Sequence, residues 1–236
     1  MADHILKKID ADAQSLRERQ QAMAALVAEQ LADAMVLLER CYLERGLAVE
    51  KHEARLNELQ LQLDRECTQF IALHQPNAGD LRQAVAAGRI AALLEACGNG
   101  ACRIAEAGGR IHKISRKQVP ALAGLMSLYA EVAALLAQAR QLLHTRSREN
   151  LLPVLAGTSA IPAALLAVRR SLCEAMPEAG GKAEALFDAL LVAQTLADLA
   201  ALLGELALTV WYEISGDDLR HAGIEQIRRR FDTAQA

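Results

Sequence analysis

The chain has 236 residues, of which 53% are hydrophobic and only 3% aromatic, and its formal net charge at pH 7 is −3. Alanine is the strongest helix former, whereas sheets favour β-branched and aromatic side chains, so this alanine-rich composition predicts an all-α protein. The small negative charge gives no overall attraction to nucleic acid, and the few aromatic residues provide no stacking platform for bases. We therefore expect no nucleic-acid partner.

The first two predicted helices come from an uninterrupted N-terminal run. Nothing breaks a helix from about residue 3 to Arg45, and Gly46 is its predicted end. Apolar side chains recur there every three or four residues, as expected for a helix with one buried stripe: Val27, Leu31, Met35, Leu38 and Tyr42. A second helix is predicted to begin near Ala48 and to stop before Pro76, because the residue before a proline disfavours helical angles.

The third and fourth predicted helices lie on either side of a basic connection. The third runs from about Ala78 to Arg110 and ends at Gly108-Gly109. The connection contains Arg110, His112, Lys113, Arg116 and Lys117. Pro120 is predicted to open the fourth helix, since proline is tolerated in a first helical turn.

An apolar segment with two prolines precedes the last two predicted helices. Leu151 to Val168 contains no charged residue, but Pro153 and Pro162 should interrupt a helix there and leave backbone groups unpaired in lipid. We therefore predict a soluble protein without direct membrane insertion. The fifth helix is predicted from about Ala163 to Met176, and the sixth from beyond Gly180-Gly181 to about Ser215.

The same order of helices occurs twice, at an offset of roughly a hundred residues. Short connections between antiparallel neighbours produce helical bundles. The predicted fold is therefore two tandem three-helix bundles, with domains at residues 1–114 and 115–217 and a C-terminal tail at 218–236.

The reactive side chains form no catalytic or zinc-binding pattern. The five cysteines, which include no CxxC pair, are predicted to be small buried hydrophobic residues, and no zinc site is expected. The sequence contains no HExxH, no GxSxG and no phosphate-binding GxxxxGK, so we predict a protein that is not an enzyme. The N-terminus lacks the pattern of a signal peptide, which predicts a cytoplasmic location.

Three separated motifs resemble the PhoU family of bacterial phosphate-signalling regulators, and the resemblance spans essentially the whole chain. They are Gln75-Pro76-x-Ala78-x-Asp80-Leu81-Arg82 followed by Leu94-Glu95 and Gly98, then Gln118-x-Pro120, and finally Tyr212 with Gly216-x-Asp218-x-Arg220-His221.

The resemblance implies a non-enzymatic adaptor. Such a protein would contact the ATPase subunit of a phosphate ABC transporter and a sensor histidine kinase, damp the phosphate-starvation response, and form a homodimer. The candidate partner contacts are Asp80, Arg82, Arg220 and His221. Asp80 has a second interpretation, because an aspartate in the first turn of a helix is favoured by the helix dipole. Arg82 has one too, as a local salt-bridge partner.

The resemblance also implies acidic motifs that hold iron-type or other metal ions in some members, and this sequence departs from them. In the first repeat the matching positions are Glu53, Asn57, Glu95 and Asn99, which leaves two carboxylates and two amides. In the second repeat they are Gly157, Ile161, Ala197 and Ala201, which offer no ligands. Amide oxygens do not offset cation charge. We expect no metal in the second repeat, and at most a weakly held divalent or iron-type ion in the first.

Two alternatives remain open. One is a metal-dependent module in which Glu53, Asn57, Glu95 and Asn99 bind one ion that controls assembly; against it, Glu53 and Glu95 can simply be polar residues facing solvent. The other is a diverged paralogue that regulates another anion transporter, since a fold does not fix a function.

Overall fold

The computed structural model describes residues 2–114, 122–220, 222 and 225–227. This part of the chain contains six long helices and no strand, which confirms the all-α prediction. Three short 3₁₀ turns, Arg148–Asn150, Met176–Glu178 and Gly180–Lys182, flank the fifth helix and precede the sixth. The helices are α1 (Ala2–Arg40), α2 (Leu43–His74), α3 (Ala78–Ile114), α4 (Leu122–Thr145), α5 (Leu151–Ala175) and α6 (Ala183–Ser215).

The ends of α1, α2 and α4 are set by left-handed residues that are not glycine. Cys41, Gln75 and Arg146 have φ values of 59°, 44° and 49°, and each donates its N–H to the carbonyl four residues earlier. The prediction that Gly46 ends the first helix is therefore wrong. Gly46 lies inside α2, which begins at Leu43 and not near Ala48.

The predicted end of α3 is also wrong, because the helix continues through the basic residues to Ile114. Gly108 serves packing: a Cβ there would lie 3.2 Å from the Cα of Leu38, so the glycine lets α3 approach α1 closely. One turn later, His112 places its Nε2 2.9 Å from the carbonyl oxygens of both Leu37 and Leu38. The side chain thereby reaches the Leu38 carbonyl, which the end of α1 leaves without a helical partner, and that of Leu37, which also accepts from the N–H of Cys41.

The fifth helix is longer than predicted. It begins at Leu151 and continues through Pro162, so the expected interruption is wrong. Pro153 occupies the first turn, where a missing N–H costs nothing because that N–H has no helical partner. Pro162 is exposed, and the helix continues beyond the single N–H that it lacks. The start of the fourth helix, predicted at Pro120, lies outside the described residues.

Three helical segments of the described chain are long and apolar enough to cross a membrane, judged by length and composition alone: Lys8–Arg40, Arg148–Glu178 and Gly180–Ser215. In the first and third, 56% of the apolar window is buried inside the protein, whereas in the segment containing α5 the buried share is 28%. We had argued from the two prolines that α5 does not span a membrane, and that argument fails because the helix continues through both. The absence of membrane insertion stays a prediction.

The helices pack as two sets of three that meet along α3 and α6. The helices α1, α2 and α3 contact each other pairwise, as do α4, α5 and α6, and α1 also contacts α4. Close approach of α3 to α6 depends on Gly100, because a Cβ there would lie 2.7 Å from Cδ2 of Leu199. We call the contact between α3 and α6 the central seam. The exact domain boundaries stay a prediction.

An ion pair crosses this seam near one end, and a second group of charges links α6 to other elements near the opposite end. Arg110 of α3 binds Asp188 of α6 through Nε and Nη2, at 3.0 and 2.7 Å from Oδ1. Toward the other end, Glu213 has a side chain only 5% exposed, and its carboxylate lies 3.7 Å from Arg17 and 3.6 Å from Arg146. Burial raises the pKa of Glu213, although both arginines act in the opposite direction.

The cysteine prediction is partly wrong. Cys67 and Cys97 are buried as expected, and Cys102 is half-buried, but Cys41 and Cys173 are exposed. Cys41 is exposed because it forms the left-handed end of α1.

Candidate functional site

Two motifs that are far apart in the sequence meet at one end of the central seam. Arg82, in the second turn of α3, packs against Gly216, which ends α6 with a φ of 80°. The guanidinium carbon lies 3.4 Å from the position that a Cβ of Gly216 would occupy. A cation at the C-terminus of α6 is favoured by the helix dipole. Gly216 is required here both by its backbone angle and by the nearby arginine.

The candidate contact residue Asp80 is exposed in the first turn of α3. Its N–H donates to the carbonyl of Asn77 at 2.9 Å. Its side chain thus lies where the helix dipole favours an anion, and it is also free to meet a partner.

The tail motif forms a tight local ion pair. Arg220 donates through Nε and Nη2 to the two oxygens of Asp218, at 2.9 and 2.5 Å, and its backbone N–H lies 3.2 Å from Oδ1. These hydrogen bonds hold the pKa of the Asp218 carboxyl well below its usual range. Nearby, the guanidinium of Arg89 lies 5.5 Å from the ring centre of Tyr212. His221, the fourth predicted contact residue, lies outside the described residues.

This end of the seam therefore combines three arginines with acidic residues. We call the set Arg82, Arg89, Asp80, Asp218 and Arg220 the seam-end cluster. Arg82 packs against Gly216 at the end of α6, whereas Asp80 is exposed and Arg220 is half-buried.

The first-repeat positions lie where α1, α2 and α3 meet. Glu53 of α2 accepts a hydrogen bond from Nε2 of Gln30 at 2.8 Å, and the thiol of Cys102 lies 3.6 Å from the same oxygen. Gln30 is fully buried. Burial, with a contribution from Glu53, raises the pKa of Cys102 to about 12, so the thiol is protonated at neutral pH and is a poor metal ligand.

The second carboxylate of this repeat is also held by an amide. Nδ2 of Asn99 donates to Oε1 of Glu95 at 2.7 Å, one turn away on α3. Asn57 forms no hydrogen bond with Glu95 or Asn99. Its Oδ1 is buried and accepts no hydrogen bond from the described part of the chain, and the same is true of Oε1 of Gln30.

These residues do not fit a multinuclear metal site. Among the described residues, no group of three or more His, Cys, Asp or Glu side chains is arranged to hold a metal ion. The two carboxylates, Glu53 and Glu95, each already accept a hydrogen bond from an amide of the chain itself. Hard cations prefer several charged oxygen ligands, and only two are present.

The corresponding region of the second repeat is apolar. Ile161 is buried, Ala197 is half-buried and Ala201 is exposed. A Cβ on Gly157 would lie 2.9 Å from Cδ1 of Leu135 of α4, so this glycine serves helix packing.

The C-terminal tail lies against this apolar region. Leu219 and Ile227 belong to the buried core, and Ile227, Ala222 and Arg220 line a groove of about 450 Å³ together with Leu155, Thr158, Ala201 and Gly204. In the second repeat, side chains of the tail thus lie in the region that corresponds to the polar residues of the first repeat.

Sequence reasoning missed Gln30, Cys102 and the role of the tail. One signal was available for Gln30, because it lies three residues after Val27 and one before Leu31, on the apolar stripe of α1. A polar side chain inside such a stripe is buried and therefore requires a partner.

The fold and the site together define a helical scaffold of two repeated three-helix units, with charged residues gathered at one end of the seam and no catalytic constellation among the described residues. A sequence model of the PhoU domain matches residues 21–108. The chain is 22% identical over 224 residues to the phosphate-specific transport system accessory protein PhoU of Escherichia coli K12, covering 95% of this chain and 92% of that protein. It is 35% identical over 102 residues to a Burkholderia homologue, covering 43% of each.

Solved structures show the same fold. The crystal structure of PhoU from Pseudomonas aeruginosa matches with a TM-score of 0.83 at 19% identity, covering 88% of this chain and 99% of that one. PhoU from Streptococcus pneumoniae matches with a TM-score of 0.81 at 17% identity, covering 89% and 98%. The chain is thus similar to PhoU-domain proteins in sequence over residues 21–108, and to solved PhoU structures in fold over most of its length.

Proposed function

We propose that this chain is a regulatory accessory protein of a phosphate transport system. The observation that carries the proposal is its correspondence, over nearly the whole length of both chains, with proteins named phosphate-specific transport system accessory protein PhoU. The protein acts without catalysis in the cytoplasm and recognises partner helices by its helix faces.

The regulation proposed is negative. The chain links the ATPase subunit of a phosphate ABC transporter to a sensor histidine kinase and lowers kinase output when phosphate is plentiful. Deleting the gene should raise phosphate-regulated transcription in phosphate-rich cells, and the reporter should then change little on starvation. Unchanged transcription in both conditions would contradict the proposal.

The seam-end cluster is the proposed partner contact. It joins the two repeats, so a partner bound there would touch both at once. The double variant Asp80→Asn with Arg220→Gln changes two of the described candidates and leaves Arg82, which packs against Gly216, in place. A pull-down from native cells should lose the transporter or the kinase with this variant and should retain them with Arg65→Gln, a control at an exposed position of α2.

We further propose that the protein forms a homodimer through α5 and the turn before it. Eight residues of Arg148–Glu178 follow a spacing of alternately four and three and all are exposed: Glu149, Pro153, Ala156, Ala160, Ala163, Ala167, Arg170 and Glu174. The five central positions are small and apolar, so a second helix can approach closely.

The end charges of this surface favour an antiparallel pair. In that arrangement Glu149 of one copy lies at the end that carries Arg170 and Glu174 of the other copy, whereas a parallel pair would place the two arginines together and like acids together. Light scattering coupled to size exclusion should give a dimer for the wild type and for Ala54→Glu, an exposed control on α2, and a monomer for Ala160→Glu. A wild-type monomer, or a dimer of Ala160→Glu, would exclude this interface.

A further inference from the structure

We infer that the amides of Gln30 and Asn99 take the place of a cation in the first repeat, and that changing them to acids creates a cation site there. The inference concerns only this chain's own side chains, and it holds whichever transporter or kinase the protein contacts.

Gln30 supplies the first replacement. Its side chain is fully buried on α1, and Nε2 lies 2.8 Å from Glu53 Oε2, 3.3 Å from the sulfur of Cys102 and 3.4 Å from the carbonyl of Val49. A carboxylate withdrawn from water must be stabilised by hydrogen bonds or by an opposite charge. Here the chain itself provides the donor, and it uses a neutral group.

Asn99 supplies the second replacement. It occupies the position where the resemblance implies an aspartate, and its Nδ2 donates to Glu95 at 2.7 Å. Having an amide at this position in place of an acid therefore removes one potential metal ligand. The same amide also donates a hydrogen bond to an oxygen of a second potential ligand, Glu95. Both carboxylates at the motif positions of this repeat thus accept a hydrogen bond from a neutral amide.

The space between the helices agrees with this arrangement. A Cβ added to Gly98 would lie 3.0 Å from Gln30 Oε1, 3.0 Å from Glu53 Oε2 and 2.3 Å from Leu56 Cδ2. The Gln30 amide thus already lies against Glu53 beside the α3 backbone, so an ion that binds Glu53 on this side has to displace that amide.

The test compares the wild type with Gln30→Glu/Asn99→Asp. The matched control is Gln194→Glu, because Gln194 donates to Asp198 at 3.0 Å in an equivalent pair four residues apart on α6. Each full-length protein is stripped with chelator, incubated with excess Mn²⁺, desalted, and measured for metal content and for Tm with and without Mn²⁺.

We expect trace metal and no Tm response in the wild type and in the control, and about one Mn²⁺ per chain with a raised Tm in the double variant. Because the substitution of Gln30 in that variant adds a buried acid beside Glu53, Asn99→Asp alone is measured as well; its exposed position preserves folding, and it should show a smaller Mn²⁺-dependent rise in Tm.

Two outcomes would overturn the inference. In the first, the wild type retains about one ion per chain and loses it in Glu53→Gln. In the second, the folded Asn99→Asp variant, and the double variant refolded with Mn²⁺, both respond to Mn²⁺ no more than the wild type does.

Discussion

The contact of α2 with α3 and the contact of α5 with α6 are the same element pair in two repeats, yet they are built from different chemistry. In the first repeat the helices meet at Gly98 around Glu53 and the buried amide of Gln30. In the second they meet at Gly204 beside Thr158, and the apolar tail residue Ile227 lines the adjoining groove. The fold thus tolerates either a hydrogen-bonded carboxylate or an apolar filling at this junction.

The difference shows what the backbone requires of the sequence. Both junctions have a glycine where the helices approach, although Gly204 lies one turn beyond Ala200, the position that corresponds to Gly98, so close approach is common to the repeats and its exact position is not. The charged groups are not common to the repeats. In the first, Glu53 is hydrogen-bonded to Gln30, whereas in the second the apolar tail residue Ile227 lines the adjoining groove.

The largest expected effect tests whether the tail is part of the second repeat. Ile227 is 3% exposed, so Ile227→Ala leaves a cavity and should lower the free energy of unfolding by about 2–4 kcal/mol. Chemical denaturation measures this loss. A change below about 0.5 kcal/mol, typical of a surface position, would show that the tail does not fill this repeat.

A second prediction concerns the approach of α2 to α3. Gly98→Ala places a Cβ 2.3 Å from Cδ2 of Leu56, which is itself fully buried and cannot move freely, and should cost about 1–3 kcal/mol. Gly109→Ala is the control, since no atom lies within 4 Å of its Cβ, and it should stabilise the same helix by about 0.4–1 kcal/mol. Equal denaturation midpoints for the two variants would contradict the packing argument.

The corresponding change in the second repeat should be milder. A Cβ on Gly204 meets Cγ2 of Thr158 at 3.0 Å, so Gly204→Ala should cost about 1 kcal/mol. The methyl group is the nearer obstacle and Oγ1 of Thr158 follows at 3.2 Å, so adding Thr158→Ser should recover part of the loss. A double-mutant cycle measures the coupling, and additive effects would mean that Thr158 is not the obstacle.

The smallest expected effect is a pair of opposite pH dependences near the seam. The pKa of Glu213 is raised by burial above its ordinary value of 4.5, so this group makes the protein less stable as the pH rises above about 4.5. The pKa of Asp218 is lowered by Arg220 below its ordinary value of 3.8, so its contribution is present above pH 3.8 and is lost as the pH falls below it.

Denaturation curves from about pH 3 to about pH 7 separate the two groups. Glu213→Gln should reduce the fall of stability above about pH 4.5, and Asp218→Asn should reduce the loss of stability in acid. If each variant has the pH profile of the wild type, these carboxyl groups do not titrate as their surroundings indicate.

The sequence predicted the helices wherever periodicity was strong, and it failed where one residue had two possible uses. The ends of α2 at His74 and of α6 at Ser215 were predicted well, because Pro76 restricts the residue before it and Gly216 takes the left-handed conformation that ends a helix. Gly46, Gly108 and Pro162 were interpreted as breaks, but all three lie inside helices, and Gly108 serves the packing of α3 against α1.

The candidate site was predictable only in part. The resemblance to the PhoU family pointed to Glu53, Glu95 and Asn99, and the spacing of Glu95 and Asn99 places these two on one helix face. Gln30 lies on another helix, and its contact with Glu53 depends on how α1 packs against α2, which local spacing does not encode. The contact of Arg82 with Gly216 likewise requires the seam to form.

That contact has a consequence for the order of folding. Arg82 and Gly216 are far apart along the chain, whereas each three-helix unit is held by contacts between neighbouring helices, and contacts between distant residues form slowly. During synthesis the first unit emerges before α6 exists. The side of α3 that carries Gly100 therefore cannot pack against Leu199 until α6 has been made. The newborn first unit therefore exposes this surface until the second unit has been made.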